Sequence, residues 1–157
     1  MDTCLACRLN NNPDLVPGGR ITQTRHWIVE HCVGSFGIGA VVIKTKKHIE
    51  KLSECSQAEV KEFAGLLKSV HLAMEEVLKP EHIYVSEWGE ETPHVHFLIQ
   101  PITQVTKKKY QAHGPQLQAK MVQSGEIPDP KQAAQVVKKL RQWFIHNPSH
   151  YPSNNKH

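Results

Sequence analysis

The sequence predicts an α+β fold: a mainly antiparallel sheet of about five strands, with one long central helix and a C-terminal helix. Three observations lead there. Short apolar stretches of strand length occur at residues 20–33, 40–43, 82–88 and 93–101, one capped amphipathic helix separates the second from the third, and a second amphipathic stretch follows Asp129.

Residues 11–20, with Pro13, Pro17, Gly18 and Gly19, read as turn and loop. Arg20 to Val33 is rich in β-branched and aromatic residues, and Gly34 to Gly39 turns it into Ala40-Val41-Val42-Ile43, which predicts an antiparallel pair. Ser56-Gln57-Ala58-Glu59 has the form of a capping box. The Ser56 hydroxyl and the Glu59 carboxylate can each satisfy an otherwise orphan amide. Val60, Phe63, Leu66, Leu67, Val70, Met74, Val77 and Leu78 then recur at helical spacing until Pro80 stops them.

His82 to Trp88 predicts another strand, Gly89 to Pro93 a turn, and Pro93 to Pro101 the last strand. In that strand His94, His96, Leu98 and Gln100 share one face, while Val95, Phe97 and Ile99 share the other. The second face reads as core and the first as chemistry. Residues 107–126 show a less regular pattern. Asp129-Pro130 supplies an N-cap and a first-turn proline for a helix whose buried stripe is Ala133, Val136, Val137, Leu140 and Phe144. The expected organisation is one domain over residues 1–147 and a fraying tail over 148–157.

Composition narrows the function classes. With 157 residues the chain can bury a core without disulfides, and no apolar run approaches the ~20 residues of a membrane span. The N-terminus lacks the basic and apolar regions of a signal peptide, so a cytoplasmic protein is expected, with no membrane partner. The formal charge of +4 favours anionic small molecules. Lys107-Lys108-Lys109 and Lys138-Lys139 read as solvated faces rather than a nucleic-acid track.

Cys4 and Cys7 have the Cys-x-x-Cys spacing that lets two thiolates reach one tetrahedral ion from a tight turn. No second Cys-x-x-Cys exists, so histidines must complete any zinc site, and chemistry alone does not choose among eleven of them. Cys32 and Cys55 read as small buried side chains. A redox role for the pair would need a preceding strand to present it.

The order of these features resembles the histidine triad (HIT) superfamily: an N-terminal Cys-x-x-Cys, a strand ending in Lys46-Lys47-His48-Ile49, a capped helix, then a strand carrying His94-Val95-His96-Phe97 and closing in Pro101. The superfamily signature is His-φ-His-φ-His-φ-φ, with φ apolar. The resemblance implies an HIT-like fold in which His94 is the first motif histidine and His96 the nucleophilic second. A rival register, with Thr92 first, leaves Pro101 unmatched. By similarity to the zinc-bearing branch, Cys4, Cys7, His48 and His94 would hold a structural zinc ion. The implied chemistry is nucleotide hydrolysis or nucleotidyl transfer through a covalent nucleotidyl-histidine, with a nucleotide or dinucleotide substrate and a homodimeric assembly.

Three positions depart from that pattern. Leu98 occupies the third motif position, and leucine donates no hydrogen bond. The approach to the motif reads Gly89-Glu90-Glu91, of which only Gly89 matches, and two carboxylates oppose a polyphosphate. The ribose acceptor falls near Glu30, His31 and Cys32, with Glu30 as the plausible acid. Gln100 could stand in for the missing donor, and Trp27 could back a base or fill the core. These departures carry the alternative of a catalytically impaired nucleotide-binding or interaction protein.

Overall fold

Residues 3–150 are described by a computed structural model of the chain. In chain order the elements are α1 (Leu5–Asn11), β1 (Arg20–Gln23), β2 (Trp27–His31), β3 (Val41–Thr45), α2 (Gln57–Leu78), β4 (His82–Ser86), β5 (His96–Ile102), α3 (Gln104–Tyr110), α4 (Gly114–Ser124) and α5 (Pro130–His146). The strands form one antiparallel sheet in the order β1-β2-β3-β5-β4. This is the α+β architecture the sequence predicts.

Strand alternation decides what each face carries. Trp27, Val29, Val41, Ile43, Phe97 and Ile99 pack with Leu66, Val70 and Met74 of α2 and Val137, Leu140 and Phe144 of α5. Each such side chain, fully buried, contributes roughly 1.5–3 kcal/mol of transfer free energy. The capping box forms as expected: the Glu59 amide donates to Ser56 Oγ at 3.2 Å, and the Ser56 amide to Glu59 Oε2 at 2.7 Å. Trp27 then donates from Nε1 to the Glu59 carbonyl at 2.9 Å, which locks β2 onto the first turn of α2.

Gly39 ends the loop between β2 and β3 at φ +87°. There a Cβ would lie 2.8 Å from Leu78 Cδ1, so both the dihedral and the packing call for glycine. His31, buried beneath this loop, accepts the Gly39 amide at Nε2 (2.9 Å), and its Nδ1–H donates to the Cys32 carbonyl (2.8 Å). On the far edge of the sheet the Arg141 guanidinium of α5 donates to the carbonyls of Arg20 and Gly18.

The sequence reading misses some elements. It contains no helix at the N-terminus, whereas α1 is capped by Cys4, whose Sγ accepts from the Cys7 amide. The irregular reading of residues 107–126 is replaced by α3, capped by Thr103, and α4, which buries Leu117 and Met121 against Ile102. Both helices are short, so their periodicity spans too few turns to register. The last strand starts at His96 rather than Pro93: Pro93 has no amide to donate, and the His94 amide turns back to the Thr92 carbonyl at 2.7 Å. Pro148–His150 form a 3-10 turn against α2, where the Ser69 hydroxyl meets the His150 carbonyl, and residues 151–157 of the expected tail lie outside the described residues.

Candidate metal centre and active site

α1 lies over the sheet face that α2 and α5 leave free, and its first turn brings Cys4 and Cys7 to the two histidines at the ends of β3 and before β5. One ligand atom from each of Cys4, Cys7, His48 and His94 lies within 4.8 Å of every other. Cys4 Sγ is 3.6 Å from His94 Nδ1, Cys7 Sγ is 3.6 Å from the same nitrogen, and Cys7 Sγ is 3.3 Å from His48 Nδ1. Tetrahedral zinc with ordinary Zn–S and Zn–N bonds separates sulfur from nitrogen by about 3.5 Å. The donor set therefore fits that ion.

The outer nitrogens are also assigned. His94 Nε2 sits 2.9 Å from the Thr45 carbonyl and 3.0 Å from Thr45 Oγ1, so Nε2 carries the proton and Nδ1 turns its lone pair to the cysteines. His48 Nε2 faces Glu50 Oε1 at 3.3 Å. Burial holds His94 below the ordinary imidazole range and raises the Cys7 thiol. A cation among the four donors favours the neutral imidazole and the thiolate together.

Two residues further on, His96 faces a different environment. Its Nδ1 lies 2.6 Å from the His94 carbonyl. A carbonyl only accepts, so Nδ1 bears the proton and Nε2 keeps its lone pair. His96 lines a cavity of about 250 Å³ under α1, with Leu5, Ala6 and Leu9 on one side and Val42, Lys44 and Leu98 on the other. It also lines an outer cavity of about 660 Å³ walled by Phe36, Trp88, Glu90, Glu91 and Val122.

The remaining sequence candidates separate. Glu30, 2 % exposed, lines the inner cavity and forms an ion pair with Lys44, also 2 % exposed. Lys44 Nζ donates as well to the Ala6 carbonyl at 3.3 Å. Burial holds its proton affinity below the ordinary lysine value, and the Glu30 carboxylate offsets only part of that. Gln100 is not brought to either cavity: its amide donates to the Phe36 carbonyl and meets Met121 Sδ, and its oxygen accepts from Gln118. Gly89 lines neither cavity, though its neighbours Trp88 and Glu91 do. Trp27 is a core residue, stacked near Phe63 and Phe97. Cys32 is buried with Ala40 and Leu98, and burial pushes its thiol up to about 11.

Sequence reasoning misses Lys44 and α1. Lys44 breaks an apolar strand, a signal that was available. The role of Leu5, Ala6 and Leu9 as a cavity wall depends on the tertiary position of α1.

Comparison with known proteins bears on the fold. No family model matches the chain, and no curated protein matches it. Among solved structures, a hypothetical histidine triad nucleotide-binding protein from Sulfolobus tokodaii is 16% identical with a TM-score of 0.68, covering 92% of this chain and 93% of its own. A zinc-bound histidine triad family protein from Mycobacterium smegmatis is 16% identical with a TM-score of 0.66, covering 94% of this chain and 97% of its own. The diadenosine triphosphate hydrolase of Plasmodium falciparum is 12% identical with a TM-score of 0.59, covering 81% of this chain and 76% of its own. The chain has the histidine triad fold. Among the described residues no helix is long and apolar enough to cross a membrane.

Proposed function

We propose that the protein is a nucleotide hydrolase or nucleotidyl transferase that works through a covalent nucleotidyl-His96 intermediate. The observation that carries this reading is the His96 Nδ1 to His94 carbonyl hydrogen bond of 2.6 Å, which fixes the tautomer a nucleophilic Nε2 requires. Nε2 attacks the α-phosphorus of a phosphoanhydride or phosphoramidate. The bond to the leaving group breaks with its electron pair, and the leaving group takes up a proton. Water, or another acceptor hydroxyl, then attacks the phosphorus, loses its proton, and returns the electron pair to Nε2.

Cys4, Cys7, His48 and His94 hold a structural zinc in this reading, supported by the donor set and spacing of the cluster. A closed four-ligand site has no position for substrate. Its contribution is to pin α1 and the His94 backbone, and the His94 carbonyl is the group that orients His96. Glu30 belongs to the substrate pocket, while Gln100 acts by holding Phe36 and α4 in place. Gly89 serves the turn that carries Trp88 and Glu91. The protein is proposed to be cytoplasmic and homodimeric.

The decisive experiment incubates the purified protein with adenylyl and guanylyl substrates and analyses it by mass spectrometry without acid. An acid-labile nucleotidyl adduct on His96 is expected, and its absence together with absence of turnover overturns the enzyme reading. A second reading, a nucleotide-binding protein without turnover, is favoured by Leu98 at the third motif position and by Glu90 and Glu91 along the outer cavity. Retained nucleotide binding without adduct or turnover would select it.

A further inference from the structure

The inner cavity has one polar feature that the proposed chemistry leaves unused. Glu30 and Lys44 form an almost completely buried ion pair among Leu5, Leu9, Val42 and Leu98 of the lining, and Glu30 Oε2 is buried without any hydrogen-bond partner. A buried carboxylate oxygen with no donor is costly, and apolar residues of equal volume would serve packing as well or better. The missing donor points to a ligand.

Register says which part of a ligand would arrive there. Lys44 pairs with His96 across β3 and β5, Val42 pairs with Leu98, and Glu30 pairs with Val42 across β2 and β3. Glu30 thus shares a row with Val42 and Leu98, one row along from the Lys44–His96 row and two strands from β5, about 10 Å at ordinary strand spacing. With the phosphoryl group at His96, the ribose covers the first strand and the ring system reaches the second. Leu5, Leu9, Val42 and Leu98 supply flat apolar walls for that ring.

We propose that the Glu30–Lys44 pair reads the inner edge of the base and makes the site selective for guanine nucleotides, a refinement that rests on the nucleotide reading above. Guanine presents N1–H and the 2-amino group side by side, which suits a carboxylate, and beside them O6, which accepts from the Lys44 ammonium. Three hydrogen bonds result. Adenine offers the carboxylate only its 6-amino group and the ammonium only N1. The orphan oxygen gains its donor when the base enters, and the pair needs no further partner.

The test is calorimetric binding of GMP, AMP and ribose 5-phosphate to the full-length protein and to two variants. These are Glu30→Gln, and Glu30→Gln combined with Lys44→Met, which keeps the buried volume without stranding a cation. The wild type should bind GMP about 10- to 100-fold more tightly than AMP, the worth of one charge-assisted hydrogen bond. In either variant the preference should fall to within about twofold while ribose 5-phosphate binds as before. A base-blind or adenine-selective wild type overturns the proposal, as does a guanine preference that survives in the folded double variant. An equal loss of ribose 5-phosphate binding also overturns it, because Glu30 would then read the sugar. Base-blind binding accompanied by a His96 adduct overturns this inference alone. Failure to bind any nucleotide overturns the functional reading as well.

Discussion

The two faces of the sheet are built from alternating residues of the same strands, yet they differ in kind. Toward α2 and α5 the face carries the main apolar cluster, from Val29 and Ile43 to Phe97 and Ile99. Toward α1 it carries Glu30, Lys44 and His96 around a cavity, with the Cys2His2 cluster at its end. Tight packing on the first face provides the rigidity with which the second can hold buried charge and open space. A single strand such as β3 supplies both, with Ile43 on one side and Lys44 on the other.

Perturbations should therefore separate by face. Replacing His96 with Asn should lower turnover at least about a thousandfold, roughly 4 kcal/mol in the barrier, while denaturant melting stays near wild type. A fall in stability of comparable size would make His96 part of the packing and erase the distinction. Leu66→Ala, on the packed face, should do the converse. It should cost about 2–5 kcal/mol in urea unfolding, with nucleotide affinity unchanged in the folded fraction.

Cys4→Ser tests the end of the chemical face. Elemental analysis should find about one zinc per wild-type chain and little in the variant. Stability should drop by about 3 kcal/mol at a zinc concentration one hundred times the dissociation constant. A full complement of zinc in the variant would contradict the ligand set.

The smallest expected effect belongs to the capping box that anchors α2. Ser56→Ala should cost about 1 kcal/mol. The Ser56 amide holds the Glu59 carboxyl below its ordinary 4.5, so its stabilisation is complete above that pH and fades as pH falls through the lowered folded value. Acid titrations of stability for wild type and Glu59→Gln should diverge above that range and converge below it. Parallel curves would remove Glu59 from the account.

Much of this was legible in the sequence, for physical reasons that vary by element. Helix α2 announced itself because a capping box and many apolar positions at one spacing agree. Strands were legible where alternation coincided with turn residues, as at Gly34 to Gly39. Cys4, Cys7, His48 and His94 could be grouped only through the resemblance, since spacing along the chain offers eleven equivalent histidines. Position in space brings those four together. The misassigned segments were short: α1 is seven residues and α3 seven, too few for a periodic signal. Alternation places Gln100 on the chemical face, where its amide donates to the Phe36 carbonyl and its oxygen accepts from Gln118 of α4, a helix the sequence pattern does not reveal.

The guanidinium of Arg141 has a consequence for how the chain reaches this state. β1 is one of the two edge strands, and the carbonyls of Arg20 and Gly18 are closed off by a residue more than 120 positions later in the chain. During synthesis this edge stays available to any other extended segment until α5 has emerged and docked. Shortened chains that end before α5 should accordingly aggregate through strand addition at β1, even though every strand of the sheet is already present in them.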